Sequence, residues 1–205
     1  MLYDYLKRAY KNSDPIFLAE IDGYSKEYVR QEMKRLTDEG KLERLYNGVY
    51  YISYKTILGT KGRVSIKRFI EKKFLSDSNG IQGYYTGLYL ANSLGFTTQN
   101  PSCYEVCSNN ATTKQRKMQV DGFELIVYKP VVEISKDNFK ELQFLDLMTV
   151  IDKYNELKNE EMRKKLREFV DEYKIDFLKV KSYLPFYPDK VYKNIYIGGL
   201  MDELV

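Results

Sequence analysis

An α+β fold is predicted by three features of the sequence. The first forty residues carry three helical patterns that run through Gly40 into a hairpin about Asn47-Gly48; residues after Pro101 alternate as strands do about Asp121-Gly122; from Asn138 the apolar spacing is helical to the end. At 205 residues and 43% hydrophobic, the chain can bury one sizeable core or two small ones, and 30% charged with 15% aromatic is ordinary for a folded globular protein. No stretch approaches the roughly 20 apolar residues of a membrane span. The start, "MLYDYLKRAY", lacks the apolar block of a signal peptide, so a cytoplasmic location is expected, with no membrane partner. Histidine is absent, which removes the commonest general base near neutral pH and the commonest imidazole ligand. The expectation is therefore a protein that is not an enzyme, with no catalytic residue, no metal and no cofactor.

Each N-terminal element has a local reason. Leu2, Tyr5, Leu6 and Ala9 fall at helical spacing, and Asp14 and Pro15 offer a cap and a first-turn proline for a second short helix through "IFLAEI". Ser25 is a natural N-cap for the third helix, Val29, Met33 and Leu36 form its apolar stripe, and Gly40 ends it. "KLERLY" and "VYYI" then flank Asn47-Gly48, a pair in which both residues tolerate the positive φ of a two-residue hairpin turn. The order helix, helix, turn, helix, hairpin predicts a winged helix-turn-helix over 1–55, whose third helix enters the major groove of double-stranded DNA.

Net charge is only +4, so a nucleic-acid surface has to come from local clustering of cations. At about 100° per residue, the face opposite the apolar stripe carries Glu27, Tyr28, Gln31, Lys34 and Arg35, with Arg30 at its margin and Ser25 and Lys26 at the helix start. Gln31 has the amide that pairs with adenine, and the cations suit guanine or phosphate. Arg44, Tyr46 and Asn47 form the expected wing, where a cation, a hydroxyl and a turn amide suit contacts that position without specifying. Charged residues opposite an apolar stripe are also what any surface helix shows, and winged helices serve as protein-interaction modules too. Residues 56–79 read as a basic connecting segment and helix. Ile66, Phe69, Ile70 and Phe74 make its apolar stripe, and Lys61, Arg63, Lys67 and Arg68 are candidate additional phosphate contacts or simply solvated cations.

Residues 80–205 predict a mixed domain, with a helix feeding a small antiparallel sheet and helices after it. Cys103 and Cys107 fall on one face of the strand "SCYEVC" and read as two buried thiols. Within "YTGLYLANSLGFTTQNP", Asn92, Leu94-Gly95-Phe96, Thr98-Gln99 and Pro101 are similar to the "N-x-LG-[LF]-[ST]-TQ-x-P" core of the AbiEi-type antitoxins, transcriptional regulators of bacterial type IV toxin–antitoxin (abortive infection) systems. The similarity extends through the following strand and the "DGFELIVYKP" hairpin and continues weakly into "LQFLDLMTVIDKY". The chain departs from the pattern at Tyr84-Tyr85-Thr86 and in the polar loop Asn109 to Thr113. Residue by residue the motif reads as turn chemistry: Gly95 suits a helix C-terminus, and Asn92, Gln99 and Pro101 suit a turn.

From Asn138 onward, Phe139, Leu142, Leu145, Met148 or Thr149, and Ile151 or Asp152, then Met162, Leu166, Phe169 and Val170, repeat at bundle spacing, and prolines 185 and 188 break the later helices. Tyr183, Phe186, Tyr187, Tyr192 and Tyr196 read as core and docking residues. The resemblance implies a DNA-binding antitoxin that represses its own operon, commonly as two copies on an inverted repeat, and opposes a nucleotidyltransferase-like partner toxin through its C-terminal domain. A stand-alone repressor is the alternative. A metal-dependent nuclease is a third, disfavoured because Lys129 lies too far along its strand from Asp121 and Glu124 to complete an acid, Glu-x-Lys site.

Overall fold

The computed structural model describes residues 1–78 and 80–204. They form two compact units: Met1–Lys72 together with Val120–Gly122, and Lys73–Gln119 together with Phe123 onward. Among the described residues no helix is long and apolar enough to cross a membrane.

In the first unit, α1 (Leu2–Ala9) leads to β1 (Ile16–Phe17), a 3-10 turn (Leu18–Glu20), α2 (Lys26–Asp38), β2 (Leu42–Tyr46), β3 (Val49–Ile52) and α3 (Ile66–Ile70). The three strands form an antiparallel sheet in the order β1-β3-β2, with Ile16 opposite Tyr50 and Leu42 opposite Ile52. Leu2, Leu6, Ile16, Val29, Met33, Leu36, Leu42 and Ile52 close one core between the helices and the sheet. The α2 stripe is buried at Val29, Met33 and Leu36, and the Ser25 hydroxyl caps the helix by accepting from the Tyr28 N–H at 3.2 Å. Both features follow the sequence pattern.

Two expectations for this unit fail. The second helix through 14–21 is replaced by β1 and the 3-10 turn. Asp14 spends its carboxylate on the Lys11 N–H, 3.0 Å away, and Ile16 is fully buried against β3, so sheet pairing overrides local helix signals. The hairpin turn has positive φ at Gly48 alone, +70°, and the register shifts between Arg44 and Tyr46. A bulge in β2 absorbs the twist that a turn with two positive φ angles supplies. Within the segment 56–79 the expected helix is present as α3, which buries the apolar stripe at Ile66, Phe69 and Ile70 within the first unit, and the Phe69 ring stacks on Phe17 with centroids 6.2 Å apart.

The second unit begins with a wide helical turn (Glu71–Leu75 with its first two residues in the first unit), then β4 (Ser76–Asp77), β5 (Gly80–Ile81), β6 (Gly83–Tyr85), α4 (Gly87–Ser93), β7 (Cys103–Ser108), β8 (Gln115–Val120) and β9 (Phe123–Tyr128). Its main sheet has the order β6-β7-β9-β8. The antiparallel expectation holds for β6 with β7 and for the β8–β9 hairpin, whose turn residues Asp121 and Gly122 both take positive φ, 49° and 84°. It fails in the centre, where β7 and β9 run parallel, Cys103 opposite Glu124 and Cys107 opposite Tyr128. Cys107 is buried and Cys103 half-buried, and burial raises both thiols above their usual range.

Five further helical elements follow the sheet: α5 (Phe139–Tyr154), α6 (Asn159–Tyr173), α7 (Phe177–Tyr183) with a 3-10 turn, α8 (Lys190–Ile197), and a last 3-10 turn (Met201–Leu204). Helix α5 is buried on most of its circumference, at Leu142, Phe144, Leu145, Leu147, Met148 and Ile151, because it packs against β6, α4, α7 and α8. The stretch from Asn92 to Pro101 is a buttressed turn. Gly95 takes φ +74° past the end of α4, and the Asn92 side-chain amide donates to the carbonyls of Thr97 and Gln99 at 3.3 and 3.0 Å. Glu156 accepts from the Thr98 N–H and hydroxyl and from the Gln99 side-chain amide, which pulls its carboxyl down to about 2. Of the five late aromatics read as core and docking residues, Tyr183 and Tyr187 pack inward, whereas Phe186, Tyr192 and Tyr196 are exposed.

Candidate nucleic-acid interface

The outer face of α2 divides into two halves of different electrostatic character. Lys26, Arg30 and Lys34 recur every four residues, so they lie on one line along the helix, about 6 Å apart along its axis. All three are exposed, and none has a carboxylate partner among the described residues. Gln31 is exposed beside them, and so is Glu27. The second half is self-neutralised. Arg35 bonds to both Glu32 and Glu39, and Glu39 also pairs with Lys41 at 2.7 Å. These bonds hold both carboxyls below their usual range, Glu32 through Arg35 and Glu39 chiefly through Lys41.

Arg35, expected as a free phosphate contact, is therefore engaged, and it must exchange one partner for another to reach DNA. Tyr28 is exposed and stacks on Tyr24 with ring centroids 5.6 Å apart, while Tyr24 meets Tyr5 edge-on at 6.2 Å. That aromatic ladder steadies the approach to α2. Tyr24 is not among the residues that the sequence pattern singles out, although its spacing of four from Tyr28 signals it. The Ser25 hydroxyl is occupied as the cap.

At the hairpin, Arg44 is exposed and donates to the Asn47 side-chain oxygen, so cation and turn amide act as one group at the tip. Tyr46 departs from expectation: its ring lies edge-on against Phe69 at 5.9 Å, half-buried, because the bulge turns it toward α3. Lys61 and Arg68, among the additional cations, are also spoken for. Lys61 pairs with Glu43 at 2.8 Å, and Arg68 holds Asp14 at 2.8 Å and the Ser13 hydroxyl at 2.9 Å. Arg63 and Lys67 are exposed. Exposed ion pairs of this kind are worth only about 0–1 kcal/mol, so a phosphate competes with them at modest cost.

Charge is segregated between the units. The first holds fifteen lysines and arginines against eleven acids and the second holds eighteen of each, so the whole net charge of +4 resides in the first. No family model, curated protein or solved structure matches the chain. The reading of α2 rests on its geometry and chemistry.

A second cluster, in the second unit, is not evident from the sequence pattern: Glu105 and Asp146 share a cavity with tyrosines and three lysines. A signal is nevertheless present, because "FLDLM" and "CYEVC" each place one acid inside an apolar run.

Proposed function

We propose that the protein is a DNA-binding repressor of the type IV antitoxin kind, with the first unit acting as a winged helix, α2 as the reading helix and the β2–β3 hairpin as the wing. The observation that carries this reading is the line of three exposed, unpartnered cations on α2 with Gln31 alongside. Lys26, Arg30 and Lys34 are all exposed on a helix buried at Val29, Met33 and Leu36, and cations that hold no ion pair among the described residues are free to replace counterions on a phosphate backbone. Segregation of the net charge into this unit supports it, as does the order of a strand and short helical turn before α2 and the β2–β3 hairpin after it. Gln31 reads a base and the lysines and arginines set the register. Two copies on an inverted repeat supply the affinity that one small reading helix lacks.

A mobility-shift titration of the full chain against the DNA upstream of its own reading frame tests this. Binding should be tighter than to random DNA and should proceed to a complex with two copies; equal affinity for both DNAs would sink the proposal.

The antitoxin half of the reading is supported by the Asn92 to Pro101 segment and its resemblance to the AbiEi-type pattern. Co-expression with the product of the adjacent reading frame should restore growth if that product is a toxin. The Lys26, Arg30 and Lys34 triple alanine variant should still protect while failing to silence a promoter reporter. No protection by the intact chain leaves the stand-alone repressor as the correct reading.

A further inference from the structure

The second unit contains a cavity of about 900 Å³, within the range of small-molecule sites, walled by α5, the ends of β7 and β9, the loop after β7 and the turn after α7. Its groups are sorted by depth. Glu105, which is buried, and Asp146 supply acids at the inner wall. Both Glu105 oxygens are already used, one by the Leu88 N–H at 2.9 Å and the other by the Tyr128 hydroxyl at 2.9 Å. Asp146 accepts from the Thr86 hydroxyl at 3.2 Å, with Tyr84 and Tyr187 also bonded to it. Burial pushes the Asp146 carboxyl up to about 6 against those three hydroxyls, so near neutral pH it is mostly an ionised acceptor facing a cavity.

The outer part differs. Lys114, Lys129 and Lys153 are exposed, line the same cavity, and have no carboxylate partner among the described residues. The Lys129 N–H donates to the Lys114 carbonyl at 3.1 Å, which sets these two segments side by side. Between cations and acids the lining is flat and apolar or aromatic, with Tyr128, Tyr154 and Tyr187 inside and Val131 and Phe186 at the mouth, 59% and 60% exposed.

This gradient selects against simple ligands. A bare anion meets Asp146, a polyamine meets three lysines, and a purely apolar molecule leaves both unsatisfied. The complementary ligand has N–H donors at one end, a flat ring in the middle and more than one negative charge at the other. We propose that this cavity binds a free nucleotide, its amino-bearing base donating to Asp146 between the tyrosine rings and its phosphates reaching Lys114, Lys129 and Lys153. The inference does not rest on the DNA-binding reading, and its test uses no DNA.

Titration calorimetry of the full chain with ATP, GTP, CTP and UTP, the matching nucleosides and inorganic phosphate decides it. At least one of the three nucleotides whose base carries an exocyclic amine should bind with a Kd of micromolar order, and its nucleoside about tenfold or more weakly, since charge-assisted contacts to phosphate are the stronger ones. UTP, which lacks that amine, should bind more weakly than the best of the three. The surface pair Lys129→Ala and Lys153→Ala, which leaves the core untouched, should weaken the nucleotide about tenfold or more and leave the nucleoside unchanged. Asp146→Asn should weaken both. No binding by any nucleotide, equal binding of nucleotide and nucleoside, equal binding of inorganic phosphate, UTP binding as tightly as the best of the others, or an unchanged lysine double variant would each overturn the proposal.

Discussion

Replacing Lys26, Arg30 and Lys34 together with alanine is expected to lower affinity for operator DNA on the order of hundredfold at physiological salt, because each phosphate contact contributes about 0.9 to the slope of log K against log salt. Removing three phosphate-binding cations should flatten that slope by roughly 2 to 3. Arg35→Ala should cost far less, since its guanidinium is already shared between Glu32 and Glu39 and the wild-type complex must first give those bonds up. The contrast is the informative part. A generic charge effect treats Arg35 and Lys34 alike, whereas the geometry sets them apart although they are adjacent in sequence. Fluorescence anisotropy over a salt series measures both quantities. A triple variant with the parent's slope, still folded by circular dichroism, places the DNA on another surface. None of the three side chains is in the core, so the melting temperature should not change.

Phe144→Ala should cost about 3–5 kcal/mol of the second unit's stability, a large share of the roughly 5–15 kcal/mol typical of a domain. Phe144 is fully buried in α5, lies edge-on to Phe177 at 5.6 Å and is stacked on Phe169 at 6.5 Å, so truncation opens a void walled by α6 and α7 and removes both ring interactions. The same kind of cut at Leu178, 81% exposed on α7, should stay within about 0.5 kcal/mol. Urea unfolding followed by far-ultraviolet circular dichroism gives both values. Similar midpoints for the two variants would mean that α5 is not the keystone its burial implies.

What the sequence reveals here depends on how local the cause is. Helix α2, its Ser25 cap, its buried stripe and the C-terminal helices follow from spacing and capping within one turn or two, and each stands where the pattern places it. The failures of strand pairing are non-local. Ile16-Phe17 becomes a strand only because β3, more than thirty residues on, offers it a partner, and β7 with β9 is parallel only because β8 lies outside both. The Arg35 difference is local: on a helical wheel it looks identical to Lys34. What separates them is which carboxylates lie three and four residues away, a pattern the sequence does contain. Asp146 and Glu105 are illegible for the opposite reason: nothing along the chain brings them to one cavity, and only the packing of α5 over the sheet does so.

The edges of the two larger sheets carry a consequence of their own. Each sheet ends in strands poorly suited to extension by another chain: β1 has two residues and β6 three, β2 is bulged and carries Glu43 and Arg44, and β8 carries Arg116 and Lys117. Short, kinked or charged borders leave few unpaired backbone groups in line and penalise the approach of a like strand, which protects a β-containing protein from runaway self-association. It also bears on the proposed pairing of two copies on an inverted repeat, which would then run through helical or side-chain surfaces, or through the DNA alone, and not through a sheet continued from one molecule into the next.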